Sequence, residues 1–290
     1  NLPVEGLIRS TVFDHFCGGV SENDCMAVVE NMFDKGVSSV LDFSIEGKED
    51  EKEFDAAMNK TCELVEFAYQ QEAMPIAVFK PTGFGRLALF EKKGSGNSLT
   101  ALENAEWDRI VMRFDKVCQL GRERGVEILI DAEESWMQDA ADELVEFMMK
   151  RYNTLRPIVY NTLQLYRWDR LNYLKQIHQR AIKSGFKLGF KIVRGAYMEK
   201  ERERAEKHGY ASPICKNKEV TDTNFDDSLS YIIENLNDIS LFVGTHNEKS
   251  SYLTMELMAS MNIKKDDNRV WFGQLYGMSD HISFNLADKG

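Results

Sequence analysis

The sequence lacks the features that most directly identify several large classes of protein. No stretch of about 18 or more consecutive apolar residues occurs, so no membrane-spanning helix is predicted. The five cysteines are scattered with no CxxC pair, which indicates reduced thiols rather than a disulfide framework. Lysine and arginine number 36 against 47 aspartate and glutamate, and the net charge of −11 argues against a non-specific nucleic-acid binder.

Motifs of several common catalytic and binding sites are also missing. No GxGxxG follows any candidate strand, which disfavours a doubly wound dinucleotide-binding sheet. The five histidines are dispersed and no HExxH occurs, so no metal site is predicted. No GxSxG and no cysteine–histidine pattern is present, which disfavours acyl transfer through a nucleophilic serine or cysteine.

The 290-residue chain does contain a regular alternation of short apolar runs and long amphipathic segments. Most of the apolar runs are nearly continuous, as in parallel strands that are covered on both faces. Eight strands separated by helices are typical of an α/β protein of the (β/α)8 TIM-barrel type, which takes about 250 residues. The predicted strands are 11–16, 38–43, 75–80, 126–131, 157–162, 189–194, 239–244 and 269–275.

The pattern predicts one barrel domain over residues 1–290, with an open doubly wound sheet as the alternative architecture. No helix is predicted in residues 276–290, after the eighth strand. We therefore expect the last helix of the barrel to be missing or trimmed. The first residue is Asn1 and no signal peptide precedes the first strand, which indicates a processed piece of a longer chain.

Polar residues cluster where the predicted strands end, whereas the strands themselves are apolar. In a (β/α)8 barrel the catalytic residues come from these carboxyl ends and the loops after them, so the contrast predicts an enzyme. The strand-end residues are Asp14, His15, Asp42, Lys80, Asp131, Glu133, Glu134, Asn161, Gln164, Lys191, Arg194, Tyr197, Thr245, His246, Asn247, Gln274 and Tyr276.

Several of these residues also have a non-catalytic interpretation. Lys80 could be a loop cation, and Asp131 could be a carboxylate that caps a helix. Glu133 and Glu134 are interpreted as solvated or capping residues. His246 alone is more typical of a hydrogen-bonded structural histidine than of a ligand.

Three cations at one barrel mouth predict an anionic ligand. Lys80, Lys191 and Arg194 suit a carboxylate or a phosphate. Gly195 and Ala196 leave space for a flat group or one that approaches the backbone closely. The combination predicts a nucleotide-type cofactor together with a small acid.

Taken together, six motifs in barrel order resemble the flavin-dependent proline dehydrogenases of the stand-alone mitochondrial and bacterial type. They span nearly the whole chain, and their order makes the resemblance specific. The motifs are "FKPTGFGRL", "LIDAEESW", "IVYNTLQLY", "KIVRGAYMEKERERA", "THNE" and "FGQLYGMSD".

The resemblance implies a role for each matching position. Asp131 belongs to the network around the substrate, and Lys191 lies near flavin N5, where many members have arginine. Lys80 binds the substrate carboxylate, and Tyr197 and Leu275 surround its ring. The FAD-binding positions are Ala132, Asn161, Arg194, Gly195, Ala196, Thr245, His246 and Asn247, and we assign Gln164 and Gln274 to the cofactor with them.

The implied reaction is oxidation of L-proline to 1-pyrroline-5-carboxylate in proline catabolism. A hydride passes from C5 to N5 of FAD, and the electrons pass to a quinone. The resemblance therefore implies peripheral membrane association. The location is the matrix side of the mitochondrial inner membrane or, in a bacterium, the cytoplasm at the membrane.

The chain departs from the family pattern in two places. The eighth helix of the family carries two arginines that bind the substrate carboxylate, and the preceding loop carries a tyrosine; neither lies within these residues. The alternatives are therefore a hydroxyproline dehydrogenase and a flavin-free barrel that serves as a binding module. Residues 198–202, "MEKER", are predicted to begin a solvated segment without a catalytic role.

Overall fold

The computed structural model describes residues 17–19, 21–42 and 49–290, and its centre is a sheet of six parallel strands. Strands that pair in the sheet are consecutive in the chain, and helices lie between each consecutive pair. This is the element order of a (β/α) barrel. The strands are β1 (Ile76–Phe79), β2 (Glu127–Ile130), β3 (Val159–Gln164), β4 (Leu188–Val193), β5 (Ile239–Gly244) and β6 (Val270–Gly273).

Ten α-helices accompany the sheet in the part of the chain that the structure describes, and a short 3-10 helix (Pro81–Gly83) follows β1. Two α-helices precede β1 and one follows β6. Their bounds are α1 (Glu22–Phe33), α2 (Glu51–Tyr69), α3 (Leu87–Gly94), α4 (Ala101–Arg124), α5 (Ser135–Tyr152), α6 (Arg170–Ser184), α7 (Met198–His208), α8 (Lys218–Glu234), α9 (Glu248–Ser260) and α10 (Asp280–Asp288).

The helix ends follow from local side-chain chemistry. Ser21 accepts a hydrogen bond from the N–H of Asp24, and the Asp24 carboxylate accepts one from the N–H of Ser21. This capping box fixes the start of α1 and satisfies two backbone donors. Thr100 and Glu103 form the same arrangement at the start of α4, which ends at Gly125 in the left-handed conformation.

The strands have two buried faces, as the continuous apolar runs predict. The outer face packs against the helices in one extensive core that includes Ile128, Ile130 and Phe190. Alternate residues on the inner face form a smaller cluster of Ile76, Val78, Leu129 and Tyr160. Because successive strand residues point to opposite faces, the inner face continues upward into the residues at the strand ends.

Six of the eight predicted strands are confirmed, each with its core inside the predicted range. The predicted strand 11–16 lies outside the described residues. Residues 38–42 do not form a strand, so that part of the prediction for 38–43 is wrong. Ser39 donates one backbone hydrogen bond to Ala73, 2.8 Å long, and a strand requires a continuing ladder of such bonds.

The expectation that no helix lies within residues 276–290 is also wrong, because α10 follows β6. This helix is only nine residues long and buries Ile282 alone among its side chains. Such a short segment with one buried position gives little of the 3.6-residue apolar period by which a helix is recognised.

The described residues contain neither a disulfide bridge nor a group of side chains placed to bind a metal ion. All five cysteines are free thiols. Across residues 17–19, 21–42 and 49–290, no helix is both long enough and apolar enough to cross a lipid bilayer. Within those same ranges no group of three or more histidine, cysteine or acidic side chains is placed to hold a metal ion.

Candidate active site

A cleft lies at the carboxyl ends of the strands and gathers nearly all of the predicted site residues. Parallel strands bring their carboxyl ends to one edge of the sheet, so residues distant in sequence meet there. Among the candidates, Asn161, Glu133 and Glu134 do not line the cleft, and Asp14 and His15 lie outside the described residues. Those that line it are Asp42, Lys80, Asp131, Ala132, Gln164, Lys191, Arg194, Gly195, Ala196, Tyr197, Thr245, His246, Asn247, Gln274, Leu275 and Tyr276.

Lys191 and Asp131 form an ion pair inside the cleft, with Lys191 Nζ donating to Asp131 Oδ1. Asp131 directly follows β2, and Lys191 lies in β4, so β3 separates the two strands. The side chains are 19% and 16% exposed for Asp131 and Lys191, respectively. Partial exclusion of water strengthens such an attraction, so the pair holds both side chains in place.

Arg194 is held at the end of β4 by contacts to all three nitrogens of its guanidinium and to one aromatic ring. Its Nε donates to Asp222 over 2.8 Å, and its two terminal nitrogens donate to Thr245 Oγ1 and Ser250 Oγ over 3.1 Å each. The guanidinium carbon lies 4.3 Å from the centre of the Phe225 ring. A planar cation held in one orientation is well suited to a phosphate group.

Asp222 can hold the Arg194 guanidinium in this orientation because its side chain remains an ionised carboxylate. Burial opposes its ionisation, but hydrogen bonds from Lys218 and Arg194 outweigh burial and hold the pKa of Asp222 below its usual value. Asp222 lies on α8, which the sequence analysis did not connect with the site.

Gly195 allows the backbone to pass close to an aromatic ring beside the cleft. Its φ is +125°, and a Cβ there would lie 2.4 Å from Cε1 of Tyr166. The N–H of Tyr166 also donates to the carbonyl of Arg194 over 2.8 Å. Gly195 and Ala196 are exposed, so their backbone can be approached by a ligand, as the sequence predicts.

Gln164 presents an unused acceptor to the cleft. The residue is 2% exposed, and its Nε2 donates to the carbonyl of Ala132 over 3.4 Å. Its Oε1 is buried and has no hydrogen-bond partner. Leaving a buried acceptor unpaired is costly, so this oxygen fits a ligand that donates a hydrogen bond, such as the N–H of a flavin ring.

Asn161 lies on the opposite face of β3, between the sheet and α5. Its Nδ2 donates to Asp142 over 2.9 Å, and its Oδ1 accepts from the N–H of Thr162. Side chains alternate along a strand, so Thr162 and Gln164 face the cleft and Asn161 does not. Sequence reasoning missed Thr162, whose hydroxyl donates to the carbonyl of Ile130 over 2.8 Å.

Thr245 and Gln274 join the ends of β5 and β6 at the cleft. Gln274 Nε2 donates to the Thr245 carbonyl over 3.1 Å, while Gln274 Oε1 accepts from Ser283 Oγ over 2.7 Å. Ser283 belongs to α10, so this helix orients a side chain of the cleft. Both functional atoms of the Gln274 amide therefore have protein partners.

His246 and Asn247 have structural partners at the same edge. The Nδ1 of His246 lies 2.9 Å from Ser279 Oγ, and burial lowers the pKa of His246. Asn247 is the N-cap of α9, and its Oδ1 accepts from the N–H of Lys249 over 2.9 Å. These contacts fix the segment that follows β5 while both residues still line the cleft.

The three predicted substrate residues lie at the cleft on three different segments. Lys80 is half-buried between β1 and the 3-10 helix. Tyr197 is half-buried immediately before α7, and Leu275 follows β6 with 65% of its surface exposed. The cleft is thus lined by a cation, an aromatic ring and an exposed apolar side chain.

Two glutamates near the cleft, Glu133 and Glu201, are buried, although the sequence predicts exposed positions for them. The interpretation of Glu133 and Glu134 as solvated is wrong, because both are buried, and Glu134 occupies the N-cap position of α5 without a capping hydrogen bond from its side chain. Glu133 is 2% exposed, and burial raises its pKa to about 7. Residues 198–202 are exposed as predicted except for Glu201, which is fully buried. Glu201 and Ala205 are both buried at a spacing of four, the period of a helix face, but a lone glutamate on such a face suggests solvent exposure.

The chain is similar to known proteins along nearly its whole length. The sequence profile of the family described as proline dehydrogenase matches residues 25–290. The chain is 34% identical over 287 residues to the carbapenem antibiotics biosynthesis protein CarD of Pectobacterium carotovorum subsp. carotovorum, covering 99% of this chain and 74% of CarD. It is 30% identical over 330 residues to mitochondrial proline dehydrogenase 1 of Dictyostelium discoideum, covering 99% of this chain and 58% of that protein.

The same likeness appears in the fold. The structure of proline utilization A from Bdellovibrio bacteriovorus superposes with a TM-score of 0.84 at 22% identity, covering 99% of this chain and 31% of that one. The chain therefore spans about a third of that larger protein. Because the family profile matches residues 25–290, the chain belongs to the proline dehydrogenase family.

Proposed function

We propose that the chain is the single catalytic domain of an FAD-dependent proline dehydrogenase, which oxidises L-proline to 1-pyrroline-5-carboxylate. The observation that carries this proposal is the Lys191–Asp131 ion pair, which shares its cleft with Lys80 and the fixed guanidinium of Arg194. A small amino acid and a phosphate-bearing cofactor require this mixture of charges. Membership of the proline dehydrogenase family supports the same reaction.

The donor and acceptor groups of the cleft fit FAD. Arg194 would hold a phosphate, Gly195 and Ala196 would allow close approach, and Gln164 Oε1 would accept from the flavin ring. Ala132, Thr245, His246, Asn247 and Gln274 would line the same ligand, whereas Asn161 is left out of the contact set. When bound, FAD supplies the acceptor for a hydride.

The substrate-side residues have complementary tasks. Lys80 binds the carboxylate of L-proline, and Tyr197 and Leu275 pack against its ring. Oxidation removes a hydride from C5 and a proton from the amine nitrogen, which leaves a carbon–nitrogen double bond. The amine must be unprotonated before its lone pair can assist, and Asp131 accepts a hydrogen bond from it.

Lys191 places a fixed positive charge beside the site where negative charge develops on hydride transfer. Such a charge lowers the barrier only if it is already oriented, and the Asp131 carboxylate orients it. The protein thus contributes positioning and electrostatics, and none of its side chains needs to form a covalent intermediate.

We propose a quinone as the electron acceptor, reached through peripheral association with a membrane. The mitochondrial relative from Dictyostelium discoideum supports a mitochondrial location, and within it we propose the matrix side of the inner membrane. CarD comes from a bacterium, and for a bacterial protein we propose the cytoplasm at the membrane as the alternative.

The visible spectrum of the purified full-length protein tests the proposal. We expect a yellow protein whose flavin absorbance falls when L-proline is added without oxygen, and recovers when a quinone analogue is added. A parallel titration with trans-4-hydroxy-L-proline identifies the preferred substrate. Protein that stays colourless after incubation with FAD would instead support a flavin-free binding module.

A further inference from the structure

Residues 131–134 form the loop between β2 and α5. This loop and the first residue of α5, Ser135, are joined by hydrogen bonds to two other segments near the cleft, and each such connection is called a tie. The loop begins with Asp131, the partner of Lys191. On one side it contacts the segment that carries Lys80, and on the other it contacts the helix that follows Tyr197. A buried glutamate makes each of these two ties.

The first tie joins the 131–134 loop to the segment after β1. Glu133 Oε2 accepts from the N–H of Thr82 over 2.9 Å, and Glu133 Oε1 accepts from the Thr82 hydroxyl over 2.6 Å. Both residues are buried, and Thr82 stands two positions after Lys80. Two hydrogen bonds to one buried carboxylate leave this segment little freedom to shift relative to the loop.

The second tie joins the start of α5 to α7. The N–H and the hydroxyl of Ser135 donate to the two carboxylate oxygens of Glu201, each over 2.6 Å. Glu201 is fully buried, and its own N–H donates to the carbonyl of Tyr197 over 2.9 Å. One helical turn therefore connects the carboxylate to the aromatic residue of the cleft.

The local chemistry of α5 explains why the second tie is strong. Glu134, at the N-cap position, makes no side-chain hydrogen bond to the helix backbone. The Glu201 carboxylate supplies that missing acceptor from another helix, where the helix dipole also favours a negative charge. Arg204, on the same helix as Glu201, lies 4.3 Å above the Trp136 ring and adds to the contact.

We propose that Glu133 and Glu201 are positioning residues that fix Lys80 and Tyr197 relative to Asp131 around the bound substrate. The inference rests on the proposed function, because it concerns the distances between the residues that the proposed function places around the substrate. Neither glutamate lines the cleft, so each acts through the residue to which it is tied.

Glu133→Gln and Glu201→Gln test the inference in the full-length protein. Each glutamine keeps the shape of the side chain but replaces one acceptor oxygen with an NH2 group, so one of the two hydrogen bonds is lost. We expect KM for L-proline to rise about tenfold, equivalent to about 1.4 kcal/mol of binding. We expect kcat and the FAD content to change less than about twofold, the signature of lost uniform binding.

Milder variants provide the same readout if a glutamine variant fails to fold. Thr82→Val and Ser135→Ala each remove one hydroxyl donor and keep the backbone N–H, so we expect KM to rise about threefold. Ser135→Ala combined with Glu201→Gln should cost less than the sum of the two single changes, because both act on one contact. Glu199→Gln is the matched control, since Glu199 is exposed on the same helix and should leave KM unchanged.

The outcomes separate the inference from the proposed function. If L-proline reduces the flavin of the wild-type protein and KM is unchanged in the folded variants, the inference is wrong and the function stands. If the variants lose kcat and FAD in equal measure, the glutamates have only a general structural role and the inference is again wrong. If L-proline does not reduce the wild-type flavin at all, the proposed function fails and the inference fails with it.

Discussion

At the residue scale, the ion pair of Lys191 and Asp131 places opposite charges on two strands that are not neighbours in the sheet. The two residues are 60 positions apart in the sequence. The positive charge of Lys191 should matter more for the reaction than for the retention of the cofactor.

We predict that Lys191→Met lowers the rate of flavin reduction by L-proline at least about a hundredfold, because an oriented charge stabilises the transition state. FAD content should fall less than about twofold, since Arg194 and the backbone at Gly195 remain. Stopped-flow absorbance and the ratio of flavin to protein measure the two effects. Lys187→Met is the control, because Lys187 precedes β4 and pairs with Asp238. Equal losses of rate and FAD would show that Lys191 anchors the cofactor instead.

The sequence identifies most cleft residues because strand ends are visible in it and parallel strands bring their ends together. It does not identify which face of a strand a residue occupies without the register, and so it placed Asn161 in the cleft instead of Thr162. Partners supplied by helices, such as Asp222 and Glu201, depend on how helices pack across tens of residues. No local pattern encodes that packing.

At the element scale, the connection from α5 to β3 is held by one buried side chain. Asn153 follows α5, and its Oδ1 accepts from the N–H groups of Ile158 and Val159 over 2.9 Å each. Its Nδ2 donates to the carbonyl of Val159 over 2.8 Å. The amide thus pairs the backbone of the first residue of β3 in the way that a neighbouring strand would.

We predict that Asn153→Ala lowers the free energy of unfolding by about 2–4 kcal/mol, because buried backbone donors lose their acceptor. Chemical denaturation measures the change. Asn217→Ala is the control, since Asn217 caps α8 at the surface and its loss should cost about 1 kcal/mol. Similar losses in the two variants would show that the Asn153 contacts add nothing beyond an ordinary cap.

The six confirmed strands and the missed α10 show what periodicity predicts at this scale. Buried parallel strands give continuous apolar runs that stand out between polar loops. Residues 38–42 give the same signal and still form no strand, because a run becomes a strand only when a neighbour pairs with it. Apolar content is local, whereas pairing is a property of the assembled sheet.

At the scale of the whole molecule, two buried carboxyl groups couple folding to pH. Burial raises the pKa of Glu127 and of Glu133 from 4.5 to about 7. The folded chain therefore binds more protons than the unfolded chain between these two values. The stabilisation from each group is complete below about pH 4.5 and is lost as the pH rises through about 7.

We predict that Glu127→Gln makes the free energy of unfolding less dependent on pH, because it removes one of the two groups. The full contribution of that one group is about 3 kcal/mol. Urea denaturation at pH 5 and pH 8 should give a smaller difference for the variant than for the wild type. Glu66→Gln is the control, because Glu66 is partly exposed and its hydrogen bond to Arg124 lowers its pKa, outside the window. Identical pH dependence in Glu127→Gln and the wild type would refute the assignment.

The strand order affects the order in which the molecule can fold during synthesis. Within the described residues, each strand pairs with its neighbours in the chain, so this sheet can grow from β1 toward β6 as synthesis proceeds. The cleft takes residues from both ends of this series, from Lys80 after β1 to Gln274 after β6. A ligand that needs the whole cleft can be captured only after nearly all of the described chain has folded, so its binding reports completed folding and stabilises that last step.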